Sequence, residues 1–306
     1  MTAGYAMHGR RGPFGRLLAN SAAALSLAVL AVMMLACFAA PLLGAMLGLD
    51  ATTPDLFNIA APPSAAHPLG TDEIGRDLMM RLLEGGRVSL TVGLAAALSA
   101  SAIGTLLGLL AGWRGGVLDA VLMRLADGVI SLPLLPLLIV LAAIDPEKAG
   151  LPAALVQSES FSLYRIVIII ALVGWTTTAR LVRGSVLSLR EREFIEAARA
   201  QGLPPLRILF HHLLPNAASP ILVAATLTIG NVILFESVLS FLGLGVQPPI
   251  PSWGNMLTGA QELIATAPML AVWPGLLIFA AVIAFNFLGD GLQEALDPRA
   301  IQRRHR

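Results

Sequence analysis

The stretch EAARAQGLPPLRILFHHLLPN, residues 196–216, is charged and contains prolines, yet it lies between two long apolar runs. The whole chain of 306 residues is 56% hydrophobic and only 13% charged, with a mean hydropathy of +0.78. Soluble domains carry about 25% charged residues, so this composition indicates an integral membrane protein. A polar segment of this length in such a chain is either a solvated connector or a surface for a partner.

Six apolar stretches on the two sides of this segment are long enough to cross a membrane as helices, which takes about 20 residues. They are residues 17–47, 88–112, 119–143, 164–188, 217–243 and 264–290. Only helices or closed barrels satisfy their backbone groups in hydrocarbon, and these runs lack the alternation of barrel strands. The sequence therefore predicts an all-α bundle of six transmembrane helices. The first run is too long for a cleaved signal peptide, which favours a retained helix.

The arginines predict the orientation, because cytoplasmic connections collect Lys and Arg. Fifteen arginines share the side of the N-terminus and five basic residues fall on the other side, so both termini are predicted to be cytoplasmic. The predicted segments are a tail at 1–16, a first transmembrane helix at 17–47, an outer loop at 48–87, a five-helix core at 88–290 and a tail at 291–306. Within the core, loop 189–215 is predicted inside and loop 244–263 outside.

Several kinds of chemistry have no residues to carry them. The only lysine is Lys148, on the predicted outer side, so the chain has no phosphate-binding loop of the GxxxxGK[ST] type. A net charge of +1 without a basic face argues against nucleic-acid binding, and the single Cys37 cannot form an internal disulfide. Adjacent side chains such as His211 and His212 point about 100° apart on a helix, which makes them poor metal co-ligands. We expect neither a catalytic nor a metal site.

Two acidic residues in the apolar runs, Asp127 and Glu236, are candidates for proton coupling, because carriers place such groups inside the membrane. Each lies toward one end of its predicted run. Solvation at the membrane interface is the alternative explanation.

The charged segment itself predicts a helix, a turn and a second helix. Ion pairs at helical spacing favour a helix up to Gln201, and Gly202 stands where a helix stops. The residues LRILFHHLLPN predict a second short amphipathic helix before the fifth span. The alanines at 197, 198 and 200 form a small face that another backbone could approach closely, which favours docking of a partner. An amphipathic connector resting on lipid headgroups is the alternative.

The same segment resembles the EAA loop of binding-protein-dependent ABC importer permeases. The residues that match its pattern are Glu196, Ala197, Ala198, Gly202, Ile208, His212, Leu213, Leu214, Pro215 and Asn216. Three further stretches are similar to the C-type permease of dipeptide, oligopeptide and nickel importers: HPLGTDEIGRD with GGRVSL, SVLSFLGLGVQPPIPSWGNML, and LGDGLQEALDPR. Together they cover essentially residues 66–299.

This resemblance implies a type I ABC importer permease in the bacterial inner membrane. The implied partners are a second permease chain in a heterodimer, two cytoplasmic ATPase subunits and an extracytoplasmic solute-binding protein. ATP and Mg²⁺ would be bound by the ATPases, and no cofactor by this chain. Peptides are the implied substrates, with nickel chelates, glutathione or another solute as alternatives.

The resemblance also assigns residues to partners. The EAA loop is implied to be the coupling helix that docks on an ATPase, through Glu196, Ala197, Ala198, Gly202, Ile208, His212, Pro215 and Asn216. Contact with the binding protein or the second permease is expected at Gly70, Thr71, Asp72, Gly75, Arg76, Asp77 and Trp253. Local bracing of the loop is the alternative for residues 70–77. For Trp253 the alternatives are an aromatic at the membrane interface and part of a re-entrant element.

Two functions of other classes stay open at this point. An ion-coupled secondary transporter would work without any ATPase, so deleting a co-expressed ATPase separates it from an importer. A membrane receptor or scaffold would show no uptake in reconstituted vesicles.

Overall fold

The computed structural model describes residues 13–158 and 160–296, and almost all regular structure in them is helical. The helices in chain order are α1 Pro13–Ala19, α2 Ser21–Phe38, α3 Ala40–Leu47, α4 Leu78–Arg114, α5 Gly116–Ser131, α6 Leu134–Ala143, α7 Ala153–Val156, α8 Phe161–Leu189, α9 Glu193–Ala200, α10 Pro205–Arg207, a π-helical turn Ile208–Leu213, α11 Leu214–Phe241, α12 Trp253–Glu262 and α13 Met269–Leu296. The described part holds no strand beyond one isolated bridge between Thr71 and Asp77. The prediction of an all-α protein is confirmed.

Five helical stretches are long and apolar enough to cross a membrane. They are Ser21–Phe38, Leu78–Arg114, Phe161–Leu189, Pro205–Phe241 and Met269–Leu296, and a sixth is present if α5 and α6 are counted as one span. These two helices are bent by 91° against each other, so the helix predicted over 119–143 is broken into two. The bend follows from Pro133, which forces Leu132 into an extended backbone with ψ 141°.

The helix ends also differ from the predictions at the first and second spans. Residues 17–47 form three helices rather than one, because Asn20 caps α2 by accepting a hydrogen bond from the N–H of Ala23 at 3.1 Å. The predicted outer loop 48–87 ends at Asp77, which caps α4 by accepting from the N–H of Met80 at 2.8 Å. Residues 78–87 are therefore the first turns of a 37-residue helix.

The predicted short helix before the fifth span is also continuous with that span. The chain passes from α10 through the π-helical turn directly into α11. A proline lacks an N–H and crowds the preceding turn, and a wider π turn accommodates such a residue. Pro215 is the second residue of α11, two positions after the π turn. The second half of the inner loop, from Pro205, is thus continuous with the fifth span.

The core is centred on α4, which packs against α2, α8, α11 and α12. Its contact with α8 runs along Gly104, Gly108 and Gly112, where an added Cβ would lie within 3 Å of Val or Thr side chains of α8. Small residues let membrane helices approach closely. One long helix therefore connects the inner loop with the outer segments.

Candidate functional site

Helix α9, which carries the EAA motif, has two different faces. Ile195 and Ala198 are 0% and 4% exposed and pack with Val182, Val186 and Leu213 of the inner core. Residues Glu196, Ala197, Arg199 and Ala200 are exposed. We call the exposed residues of segment 193–216 the coupling surface. Residues three apart share a helix face, so Ala198 lies beside Ile195, and the prediction that its side chain belongs to the docking face is wrong.

Gly202 ends α9 in a left-handed turn with φ +72°. Its N–H donates to the carbonyl of Arg199 at 2.9 Å, and the N–H of Leu203 donates to that of Ala198 at 3.2 Å. This pair of bonds is the Schellman pattern. A Cβ added at Gly202 would meet no atom within 4 Å, so the turn requires glycine for its backbone angle rather than for space.

The second half of the motif is also split between core and surface. Ile208 is 1% exposed and belongs to the inner core. His212 is partly buried, whereas Pro215 and Asn216 are exposed. The amide of Asn216 donates to the carbonyl of His212 at 2.6 Å, one turn earlier. Ile208 thus fixes the segment from inside, while Pro215 and Asn216 contribute to the coupling surface.

Arginine contacts attach this segment and the adjoining end of α8 to α4 and α5. The guanidinium of Arg199, in the segment, lies 4.5 Å from the ring centre of Trp113, which is cation–π geometry. At the end of α8, Arg190 donates to the carbonyl of Gly112 at 3.1 Å, and Arg183 donates to both carboxylate oxygens of Asp119, at 2.5 and 2.6 Å. The contact with Trp113 could not be predicted from local sequence, because 86 residues separate the pair.

Asp127, the first of the two acidic candidates for coupling, forms an ion pair with Arg180 of α8. Both side chains are more than 40% exposed. The pair joins α5 to α8 in a partly exposed position. A coupling role of Asp127 stays a prediction.

The predicted outer contact residues 70–77 form a turn that is largely buried. Asp72 is 2% exposed and binds Arg76 Nε at 2.7 Å and Arg81 Nε at 2.9 Å. Asp77 is 2% exposed and binds His67 Nδ1 at 2.9 Å. These are contacts that the bracing alternative requires. Partner contact of this turn stays a prediction.

The other residues predicted in this turn are held in the same way. Thr71 is 1% exposed, and its hydroxyl donates to the carbonyl of Asn58 and accepts from the N–H of Ala61. Gly70 and Gly75 both have φ +83°, and an added Cβ would collide with the main chain of residues 61 and 55. The turn is therefore packed directly onto the preceding coil.

That coil carries carboxylates that stay charged. Hydrogen bonds from the hydroxyl of Thr53 and the N–H of Thr52 lower the pKa of Asp50 to about 2. The amide of Asn58 donates to Asp55 at 2.7 Å and lowers the pKa of that carboxyl, with a further bond from the N–H of Phe57.

Trp253 begins α12 and is 0% exposed, so it is neither an interfacial aromatic nor a partner contact, and both predictions are wrong. Its ring N–H donates to the carbonyl of Leu82 at 2.9 Å. The ring packs over Gly86, where an added Cβ would lie 2.6 Å from it. Because Gly86 has no side chain, α4 leaves space for this ring. The ring thereby anchors α12 in the core between α4, α11 and α13.

Glu236 on α11 is also 0% exposed, so the explanation by interfacial solvation is wrong for this residue. Its carboxylate accepts from the hydroxyl of Ser240 at 2.7 Å. The hydroxyl of Ser237 lies 3.5 Å from the carboxylate and donates to the carbonyl of Ile233 at 2.8 Å. The side chains of Ser89 and Ser252 also lie near the carboxyl group. We call these five residues the outer cluster. Ser89 and Ser252 escaped notice in the sequence, since serines alone carry no spacing signal.

Comparison with known proteins adds an independent line of evidence. Residues 104–302 match the family model described as "Binding-protein-dependent transport system inner membrane component". The chain is 41% identical over 289 residues to a dipeptide transport system permease protein of Alkalihalophilus pseudofirmus, covering 94% of this chain and 90% of the relative.

Two further relatives are named for the transport of other substrates. An oligopeptide transport system permease protein of Bacillus subtilis is 36% identical over 284 residues, 93% of this chain and 88% of the relative. A glutathione transport system permease protein of Pectobacterium atrosepticum is 42% identical over 237 residues, 78% and 74%. Given the helical bundle, the EAA segment at one end of it and these matches, the chain belongs to the family of inner membrane components of binding-protein-dependent transport systems, as a multi-pass permease.

Proposed function

We propose that this chain is the permease subunit of an ATP-driven importer for di- and oligopeptides. It forms half of the translocation path together with a second permease chain. Two cytoplasmic ATPases bind the ATP and Mg²⁺, and a solute-binding protein delivers the peptide from outside. The relatives named for dipeptide and oligopeptide transport support the substrate class, and the relative named for glutathione transport supports glutathione as an alternative, beside nickel chelates or another solute.

One observation supports the ATPase partner most strongly: apart from Phe194, the exposed face of α9 is small and charged, while its other face is anchored. Ile195 and Ala198 lie in the inner core, and Arg199 lies over Trp113 of α4. Glu196 and Ala197 are left exposed. A connector lying on lipid would instead direct large apolar side chains outward. When the two ATPases close, an ATPase bound to this face would move α9, α4 and α11 together.

The proposal includes the orientation with both termini in the cytoplasm. The distribution of arginines supports it, and it places the coupling surface on the side where ATP is found. Of the predicted tails 1–16 and 291–306, residues 1–12 and 297–306 lie outside the described residues, so the basic residues there support the orientation from the sequence alone.

Site-specific cross-linking tests the coupling surface. An Ala197→Cys chain in a Cys37→Ala background is expressed with its genetically neighbouring ATPases and second permease and treated with a short bifunctional maleimide. We expect an ATP-dependent cross-link to an ATPase from Ala197→Cys and none from Ala198→Cys, the buried neighbour. Cross-links from both or from neither position would contradict the proposed docking face.

Uptake in proteoliposomes tests the transport reaction. The complete complex should accumulate a labelled di- or tripeptide only with ATP inside and binding protein outside. Uptake that persists without the ATPases would favour an ion-coupled transporter. Accumulation of glutathione, but not of other di- or tripeptides, would instead identify glutathione as the substrate.

A further inference from the structure

The outer cluster places a carboxylate inside the protein with hydroxyl groups from three elements around it. Glu236 shares α11 with Ser237 and Ser240, whereas Ser89 lies on α4 and Ser252 caps α12. All five side chains are at most 3% exposed. The two oxygens of a carboxylate offer about four acceptor sites, and four hydroxyls surround them. Acidic groups in membrane helices are costly and require such partners.

Three of these hydroxyls also accept hydrogen bonds from the backbone of the outer segment 244–262. The N–H of Val246 donates to Ser240 Oγ at 3.0 Å, and the N–H of Asn255 donates to Ser252 Oγ at 3.2 Å. The N–H of Trp253 donates to Ser89 Oγ at 3.2 Å. Ser240 thus links one backbone N–H to the carboxylate, and Ser89 joins the start of α12 directly to α4. Hydrogen bonds in such chains strengthen one another.

The packing around the cluster leaves space for this arrangement and for little else. A Cβ added at Gly254 would lie 2.6 Å from the Cα of Ser237, and one at Gly85 would lie 3.2 Å from the carbonyl carbon of Ser252. The base of the outer segment is therefore held on α4 and α11. Its tip is different, because Gln247, Pro248 and Pro249 are exposed.

We infer that Glu236 is a positioning residue that holds the outer segment 244–262 on α4 and α11, and so presents the exposed tip 247–249 to the solute-binding protein. The first half of this inference stands on the contacts alone. The second half rests on the proposed function.

Cysteine labelling in nanodiscs tests the first half without any transport assay. Met256 is 6% exposed on α12, so Met256→Cys in a Cys37→Ala background reports whether α12 leaves its place. We expect Glu236→Leu to raise the labelling rate by about tenfold or more, because Ser240 loses its acceptor and the other buried serines of the outer cluster then face an apolar side chain. Glu236→Gln keeps one acceptor oxygen and should give an intermediate rate. Glu262 is an exposed carboxylate on α12, the helix that carries Met256. Glu262→Gln is therefore the matched control, and its cysteine should be labelled at the rate of the parent.

Wild-type labelling of a normally inserted Glu236→Leu complex would overturn the inference. If that variant fails to accumulate, Ser89→Ala and Ser240→Ala each remove one link and should each raise labelling by about two- to fivefold. Unchanged rates in both would overturn the inference equally.

Uptake kinetics test the second half. Glu236→Gln should raise the apparent KM for the loaded binding protein by about fivefold and leave the maximal rate within about twofold. A fall in the maximal rate with an unchanged KM would overturn the role of the tip. A parent complex without ATP-dependent uptake would refute the proposed function, and the labelling result would then stand on its own.

Discussion

At the end of the bundle that carries the EAA segment, Glu196, Ala197 and Gly202 are exposed, whereas at the opposite end Asp72, Asp77 and Trp253 are buried. Both sets belong to stretches that resemble the same family, and both break the apolar pattern of the chain. Inside, the recognisable residues form a surface and are held in place by ordinary core residues behind them. Outside, the recognisable residues are themselves the core. A family motif therefore marks a contact, and only burial tells whether that contact is with a partner or within the chain.

The largest effect on stability is expected from Trp253→Ala. The change removes a fully buried ring and leaves the carbonyl of Leu82 without its donor, which costs about 3–5 kcal/mol of the free energy of unfolding. Thermal unfolding of the purified complex measures it. Trp113, near the opposite end of the bundle, is half-buried. The matched variant Trp113→Ala should therefore lose much less of the free energy of unfolding. Equal losses would remove the proposed difference between the two ends.

Asp72→Asn should follow, with a loss of about 3 kcal/mol, because the buried Arg81 and the partly buried Arg76 lose their shared charge partner. Hydrogen–deuterium exchange of residues 55–77 should accelerate, while exchange in α9 stays unchanged. Glu73→Gln changes the neighbouring carboxylate, whose side chain is 32% exposed, and should have little effect. Equal acceleration in both variants would show that the turn does not depend on the buried charges.

Gly202→Val is expected to cost about 1–2 kcal/mol locally, because a β-branched residue is strained at φ +72°. Its effect on transport should be greater than its effect on stability, with uptake down about tenfold and membrane insertion intact. Gly202→Asn tolerates the left-handed turn and is the control. Uptake at the normal rate in the valine variant would refute the assignment of this turn to coupling.

The smallest effect is expected from Arg199→Ala, which removes a cation–π contact worth about 0.5–1 kcal/mol at an exposed site. A double-mutant cycle with Trp113→Leu, followed by thermal unfolding, isolates this term. Arg207→Ala, an exposed arginine of α10, serves as the control. Additive effects of Arg199→Ala and Trp113→Leu would mean that α9 and α4 are not coupled through this pair.

Hydropathy and helical spacing were enough to predict most of the helices and the turn at Gly202, because these depend on neighbouring residues. The bend at Pro133 was missed since apolar composition alone does not report direction. The inward position of Ala198 could have been predicted from its spacing to Ile195. The burial of Trp253 could not, because it depends on Gly86, which is 167 residues away and merely omits a side chain.

The length of α4 has a mechanical consequence. Its 37 residues extend over about 55 Å at 1.5 Å per residue, well beyond a hydrocarbon core of about 30 Å. Trp113 lies near one end and the cap Asp77 at the other. A rigid rod of this length acts as a lever pivoting within the membrane, so a tilt of about 5° displaces each end by roughly 2 Å in opposite directions. That is enough to break a hydrogen bond, and no signal other than the tilt has to cross the membrane.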